Sequence, residues 1–419
     1  MKVYVREIIL TAVIYLFALQ RALTTVWTGF NYIDELFALY AMMDIVISIM
    51  KRGWGVLSKK EHQLLLLWVV IFVLGVVGNV YSKLIDSWFF ILIDAISMVK
   101  VWLSYYVVIM INRNERYYDR VIQYSAVTGR ILTWIMLICL IISQFADIGM
   151  TSDVSIRYGI ASFQFIYNVP GNLCKLFYFL IPVFIADLNY KNTIWKKIVI
   201  GIACIVWAST MRARSFAFIA AFIIVYVYFF TRKGNTIGQK LKGKIKPWHI
   251  AVLICLTFII TKDQIVFYFT TSSQARSVLL RYGIKTMMNY FPIGAGFGTF
   301  GSDIASTHYS QLYTQYGFNR FYGMRMGEEY FLNDNYWPMI MGQFGFVGLI
   351  LVLYIVFTYS FYVIRLVKNN RYIYVAMFLA MGFLMASSIA SKSYSEYSSI
   401  CVFMLAAVFV QKGKRAADH

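Results

Sequence analysis

Stretches of apolar residues long enough to cross a lipid bilayer follow one another along nearly the whole of this 419-residue chain, broken by short polar turns. A helix rises 1.5 Å per residue, so about 20 apolar residues cover the hydrocarbon core of about 30 Å. Such spans run near Ile8 to Val26, Tyr32 to Met50, Gln63 to Tyr81, Trp88 to Ile111, Tyr124 to Phe145 and Leu173 to Tyr190. The second half adds Ile198 to Met211, Ser215 to Phe230, Trp248 to Tyr268, Tyr336 to Phe361, Tyr372 to Ile389 and Ser398 to Val410. With 60% hydrophobic and 14% charged residues, the chain has too little polar surface for a soluble globule. The expected fold is an all-α polytopic membrane protein of about twelve transmembrane helices.

A net charge of +20 would suit a nucleic-acid binder, but the placement of the basic residues points elsewhere. They fill alternate loops: Lys51, Arg52, Lys59 and Lys60; Arg113, Arg116 and Arg120; Lys191, Lys196 and Lys197; and Arg365, Lys368 and Arg371. The heaviest run, Arg232 to Lys246, holds six basic residues and no acid. With both termini in the cytoplasm, about 24 of the 39 Lys and Arg fall inside, as the positive-inside rule requires. The excess reports orientation, and no nucleic-acid partner is expected. No cleavable signal peptide is expected, because the first span is long and lacks a small-residue cleavage site. The cysteines (Cys139, Cys174, Cys204, Cys255, Cys401) lie apart inside apolar spans, and the histidines (His62, His249, His308, His419) are scattered, so neither disulfides nor a metal site is expected.

On this topology the long polar stretch from Phe269 to Tyr336 lies outside the cell. It divides the chain into a first bundle, 1–268, of about nine spans, an extracytoplasmic cap, 269–335, and a second bundle, 336–419, of about three spans. A second outer loop spans about Ala146 to Asn172. Aromatic residues such as Phe291, Phe297, Phe300 and Trp337 argue that the large loop packs as an ordered cap. Within it, Val278, Leu279, Ile284, Met287 and Met288 have helical spacing, and Pro292 with its glycines ends the pattern. On such a helix Arg281 and Lys285 share a face, while Arg276 lies about 140° from Arg281.

Arginines on the outer side carry the chemistry. Arg212 and Arg214 lie in Ser209-Thr-Met-Arg-Ala-Arg-Ser215, at an outer junction with almost no loop. Snorkelling explains one such residue taken alone, but not two on the face where positive charge is disfavoured. Residues two apart on a helix point to nearly opposite sides, so only one should line a site. A guanidinium stays charged and donates two parallel bonds to phosphate oxygens, so one arginine from Arg212/Arg214 and one from Arg276/Arg281 could grip a diphosphate without a metal. Solvated charge on a surface helix is the plainer role for Arg276 and Arg281.

Pro292-Ile-Gly-Ala-Gly-Phe-Gly-Thr-Phe-Gly301 contains the spacing of a dinucleotide fingerprint, but no βαβ unit surrounds it. A tight turn allowing close backbone approach fits better, with its N–H groups as possible phosphate contacts. Asp334, in Asn333-Asp-Asn-Tyr-Trp337, is the first candidate for a base that positions an acceptor hydroxyl, with Glu328, Glu329 and His308 behind it. Capping the helix that follows is the structural role open to Asp334. Asp94, Lys100, Lys175, Asp34, Glu35 and Asp44 are ionisable groups inside spans, read first as inter-helix pairs and second as a site or ion route.

This ordered set resembles the O-antigen ligase/polymerase superfamily, and the Gly-rich and Asp-Asn-Tyr-Trp-Pro segments are most similar to capsular and exopolysaccharide (Wzy-type) polymerases. The similarity covers about Ser209 to Gly348, including Gly342-Gln-Phe-Gly-Phe-Val-Gly348. It implies a GT-C-like membrane glycosyltransferase without cofactor or metal, acting on undecaprenyl diphosphate-linked glycans in the bacterial plasma membrane. The superfamily's arginine after Thr-x maps to Arg214 or Arg212, and the arginine before the Pro-Gly run to Arg276, with Arg281 nearby. Ligases place a histidine base where this chain has Asp334 and Asn335, which favours a polymerase over a ligase. The expected activity is transfer of the growing lipid-linked glycan onto an incoming lipid-linked repeat unit on the outer face. Membrane lipids, a flippase and a chain-length regulator are the expected partners. A ligase or a lipid-linked oligosaccharide flippase is the alternative.

Overall fold

The computed structural model describes residues 4–111, 113–157, 159–231 and 274–417. The expected span Trp248 to Tyr268, the basic run Arg232 to Lys246, the boundary at residues 268 and 269, and His249, Cys255 and His419 lie outside the described residues.

About three quarters of the described residues are helical. Helices α1 (Val5–Val26), α2 (Ile33–Arg52), α3 (Lys59–Ser82), α4 (Trp88–Met110) and α5 (Glu115–Ile142) precede a hairpin of β1 (Thr151–Arg157) and β2 (Ile160–Phe163). Helices α6 (Pro170–Asp187), α7 (Ile194–Ala208) and α8 (Ala213–Thr231) follow. After the undescribed segment come α9 (Ala275–Asn289), the short α10 (Asp303–Thr307) and α11 (Gln311–Gln315), then α12 (Tyr336–Leu366), α13 (Arg371–Ser388) and α14 (Ile400–Ala417). Among the described residues, seven helices are long and apolar enough to cross a membrane: α1, α3, α4, α5, α8, α12 and α13. The other expected spans are helical where described, but α7 has only 15 residues and α2 carries Asp34, Glu35, Asp44, Lys51 and Arg52.

Helix starts follow local chemistry. Ser58 and Glu61 form a reciprocal capping box at α3, and the Asn114 and Asn370 side chains accept backbone N–H groups at the starts of α5 and α13. Of those seven apolar helices, α4 is the most enclosed, packed between α2 and α14, while α6 packs on α13, α1 on α5 and α12 on α3. Most of the charges expected to pair between helices do so, since an isolated ion in hydrocarbon is costly, while Asp94 instead accepts from the Gly298 N–H and Gln343 Nε2. Lys100 binds Asp34 and, at 3.1 Å, Glu35; Asp187 takes Arg130 and, at 2.8 Å, Lys196; buried Glu61 meets Lys414 at 3.1 Å.

The glycine run docks against a break in α12. Gly345 leaves helical geometry (φ 62°, ψ −157°), and around it Gly342 and Gln343 offer carbonyls to the N–H groups of Ala295 (2.9 Å) and Gly296 (2.8 Å). Val347 in turn donates to the Pro292 carbonyl at 3.1 Å. A Cβ on Gly294 would lie 2.4 Å from the Gly345 nitrogen, and one on Gly296 would lie 2.3 Å from the Asn79 nitrogen, so only glycine permits the two backbones to meet. This corrects the expectation that N–H groups of this run contact phosphate. Phe297 donates to Asn79 Oδ1 (2.9 Å), Gly298 to Asp94 Oδ2 (2.7 Å) and Gly301 to the Tyr313 hydroxyl (2.8 Å), so they are already occupied.

Above this seam the cap has its own apolar core, with Val278, Leu279, Phe300, Tyr313, Phe318 and Leu332 fully enclosed. Its helix α9 begins at Ala275 and packs along α12, close to where its periodicity placed it. The antiparallel β1–β2 hairpin, by contrast, is absent from the sequence reading, which treats Ala146 to Asn172 as plain loop.

Candidate functional site

Arg214 occupies the first turn of α8, reached through a turn in which Met211 takes φ 49°. The hairpin braces that turn, because Phe163 at the end of β2 donates its N–H to the Ser209 carbonyl at 2.9 Å. From there Arg214 Nη2 reaches across to the Gly171 carbonyl at 3.1 Å, at the start of α6. Glycine suits that position, since a Cβ on residue 171 would sit 2.9 Å from the guanidinium.

Charged side chains from five segments gather around it. One turn into α6, Lys175 Nζ contacts both carboxylate oxygens of Glu396, at 2.5 and 2.6 Å. Glu396 lies in the connection between α13 and α14, beside Lys392, and Lys392 binds Asp303 at the head of α10. Asp334 stands just before α12 and faces Arg276, from the first turn of α9, at 3.9 Å. Arg214 and Lys175 interact electrostatically with both Asp334 and Glu396. The result is four cations, Lys175, Arg214, Arg276 and Lys392, around three carboxylates at one end of the bundle, under the cap.

The carboxylates are not alike. Burial holds the Asp334 carboxyl above its ordinary value, and the pull of Arg276, Lys175, Lys392 and Arg214 does not fully reverse it. Its side chain nonetheless keeps 38% of its surface exposed. Burial also pushes Glu396 and Asp303 up, but Lys175 and Lys392 respectively override it and hold both below the usual carboxylate value. Folding depresses those two, so their contribution to stability is present above the ordinary range of about 4 and is lost as pH falls through their lowered values. Asp334 has the opposite sign: its ionisation costs stability as pH rises through its raised value.

Of the residues expected from sequence, Arg214, Arg276 and Asp334 come together. Arg212 is partly buried, and its backbone carbonyl accepts the Ser215 hydroxyl at 2.6 Å at the start of α8. Arg281 is exposed on α9, as its angular separation from Arg276 implies. Asp334 does not cap α12; the cap position is Asn335, which makes no side-chain cap bond. His308 contacts the Gly298 carbonyl at 3.0 Å and stacks on Phe90 at 5.4 Å, and so supports the glycine run. Glu328 lies in a turn bridged to Arg325, next to Glu329, whose carbonyl accepts from Ser306 at 3.4 Å. Lys392 and Glu396 were not singled out from sequence. The available signal was a lysine and a glutamate in the break Ser391-Lys-Ser-Tyr-Ser-Glu396, beside a buried Tyr394.

Nothing among the described residues gathers three His, Cys, Asp or Glu side chains as a metal would need. Chemically, the cluster can hold a multiply charged anion beside a carboxylate whose proton affinity is raised. No family model matches the chain, and no curated protein proves similar to it.

Proposed function

We propose that this protein is a membrane polysaccharide polymerase of GT-C type, with about twelve spans and both termini in the cytoplasm of a bacterium. It transfers a growing undecaprenyl diphosphate-linked glycan onto the incoming lipid-linked repeat unit at the outer face. The observation that carries the reading is the convergence of Arg214, Arg276, Lys175 and Lys392 on Asp334 from separate chain segments. The guanidiniums and ammoniums would bind the departing diphosphate and stabilise its charge as the glycosidic bond breaks. Asp334 would accept the proton of the acceptor hydroxyl; a raised proton affinity makes it the better base.

The test is reconstitution in vesicles with a lipid-linked repeat unit. Lengthening of the glycan on its lipid supports the polymerase. Transfer only to a different acceptor indicates the ligase, and transbilayer movement without lengthening indicates the flippase. In the same assay the rate should fall on the acid side with an apparent pKa above the ordinary aspartate value of about 3.9, because the base must be ionised. Asp334→Asn should remove both the activity and that limb. An unchanged acid limb in the variant would exclude Asp334 as the base.

A further inference from the structure

Asp94 stands apart from the other charges inside the bundle. Among the described residues it forms no ion pair, and the partners of its carboxylate are neutral donors: the Gly298 N–H at 2.7 Å, Gln343 Nε2 at 2.9 Å and the Ser302 hydroxyl. The neighbouring ammoniums are engaged elsewhere, Lys100 by Asp34 and Glu35 and Lys392 by Asp303. Asp94, Asp303 and Lys392 line one polar crevice of about 10 Å³, where α4, the break in α12, the head of α10 and the link between α13 and α14 meet. Together they leave one negative charge that no other side chain of the crevice offsets. A space of this size holds a single water-sized occupant, the lower limit being about 10–15 Å³. Six of its side chains present oxygen: Asp94 and Ser97, which share a face of α4, with Ser302, Asp303, Gln343 and Ser395. Gln343 is 1% exposed, and its Oε1 has no hydrogen-bond partner among the described residues. Turning the amide over would set that oxygen against the Asp94 carboxylate, so Oε1 is left to accept from whatever fills the crevice.

We propose that this crevice binds a single small monovalent cation, with sodium as the probe ion. Oxygen donors suit a hard cation, and ion sites in membrane bundles form beside interrupted helices, as α12 is at Gly345. The surplus charge matches a single positive charge: a divalent ion would leave an excess, and a water would leave Asp94 unbalanced in the interior. The ion shares Asp303 with Lys392, so it weakens the hold of Asp303 on that ammonium and leaves Lys392 freer to act on Asp334 and Glu396. This last step rests on the function proposed above; the ion site does not.

The test is equilibrium dialysis of the full chain in detergent against radiolabelled sodium. Wild type should bind a single ion per chain saturably, displaced by unlabelled sodium chloride and not by N-methylglucamine chloride. Asp94→Asn, which removes the surplus charge, should weaken binding about ten-fold or more, and Ser97→Ala, which removes one oxygen from a partly exposed position, should weaken it less. Asp44→Asn, a carboxylate on α2 outside the crevice, should bind as wild type does. Absence of saturable binding in wild type, or wild-type affinity in both crevice variants, would overturn the site. So would an infrared carboxylic-acid band that Asp94→Asn removes and sodium leaves in place, since Asp94 would then carry a proton. In reconstituted vesicles glycan lengthening should rise with sodium at constant ionic strength and lose that dependence in Asp94→Asn. Sodium binding together with lengthening indifferent to sodium keeps the site and rejects its action on Lys392; sodium binding with no lengthening under any condition rejects the polymerase alone.

Discussion

Replacing Arg214 or Arg276 with alanine is expected to reduce glycan lengthening by about 10²–10³-fold at unchanged protein level. Each guanidinium is fixed by the fold before substrate arrives: Arg214 by its bond to Gly171 and Arg276 by its place in the first turn of α9 facing Asp334. A donor held in position contributes most where charge develops, in the proposed reaction on the leaving diphosphate, and contributes less to the ground state. The loss should therefore fall mainly on kcat. Lysine at either position should restore only part of it, because a point charge cannot make two parallel bonds to phosphate oxygens. Arg281→Ala, on the exposed face of α9, should lengthen glycan almost normally. Near-normal rates in both alanine variants would remove the arginines from the chemistry.

The second large effect concerns Lys175 and Glu396. This pair is nearly buried, with side-chain exposures of 13% and 7%, and Glu396 also faces Lys392 and Arg214. Glu396→Gln would leave Lys175 without its counter-ion among like charges, at a cost of about 3–5 kcal/mol. The double change Lys175→Met with Glu396→Gln should recover most of that stability, since replacing a whole buried pair is often neutral. Thermal unfolding in detergent checks both. The double variant should nonetheless lengthen glycan slowly, because it lacks one of the cations proposed to hold the diphosphate. A stable and fully active double variant would confine the pair to a structural role.

How far the sequence reveals this site depends on what each residue does locally. Arg212 and Arg214 stand out because two arginines at a junction expected on the outer side violate the charge bias of the loops, whereas Arg276 is picked out by its place before the Pro-Gly run. The sequence also narrows each pair to one residue, from angular separation alone, but does not say which; the fold selects Arg214 through Gly171 and Arg276 through Asp334. Lys392 and Glu396 do not stand out, because a serine-rich break between two spans looks like any other turn until α6 and α10 are brought against it. The glycine run reads as a close approach, whereas its partner, the break at Gly345, lies in Gly342-Gln-Phe-Gly-Phe-Val-Gly348, which reads as a motif inside a span and not as a helix break. The β1–β2 hairpin escaped for a similar reason: its short strands carry mixed polar residues without clear alternation, and its link to Ser209 is tertiary.

The most direct measurement is the affinity of undecaprenyl diphosphate for the reconstituted protein, compared among wild type, Arg214→Ala, Arg276→Ala and Asp334→Asn. If the four cations form a diphosphate site, both alanine variants lose about ten-fold or more, while Asp334→Asn binds at least as tightly as wild type because an opposing negative charge is gone. Equal affinity in all four proteins would mean that the cluster is an internal charge network and that the anion, if bound, lies elsewhere.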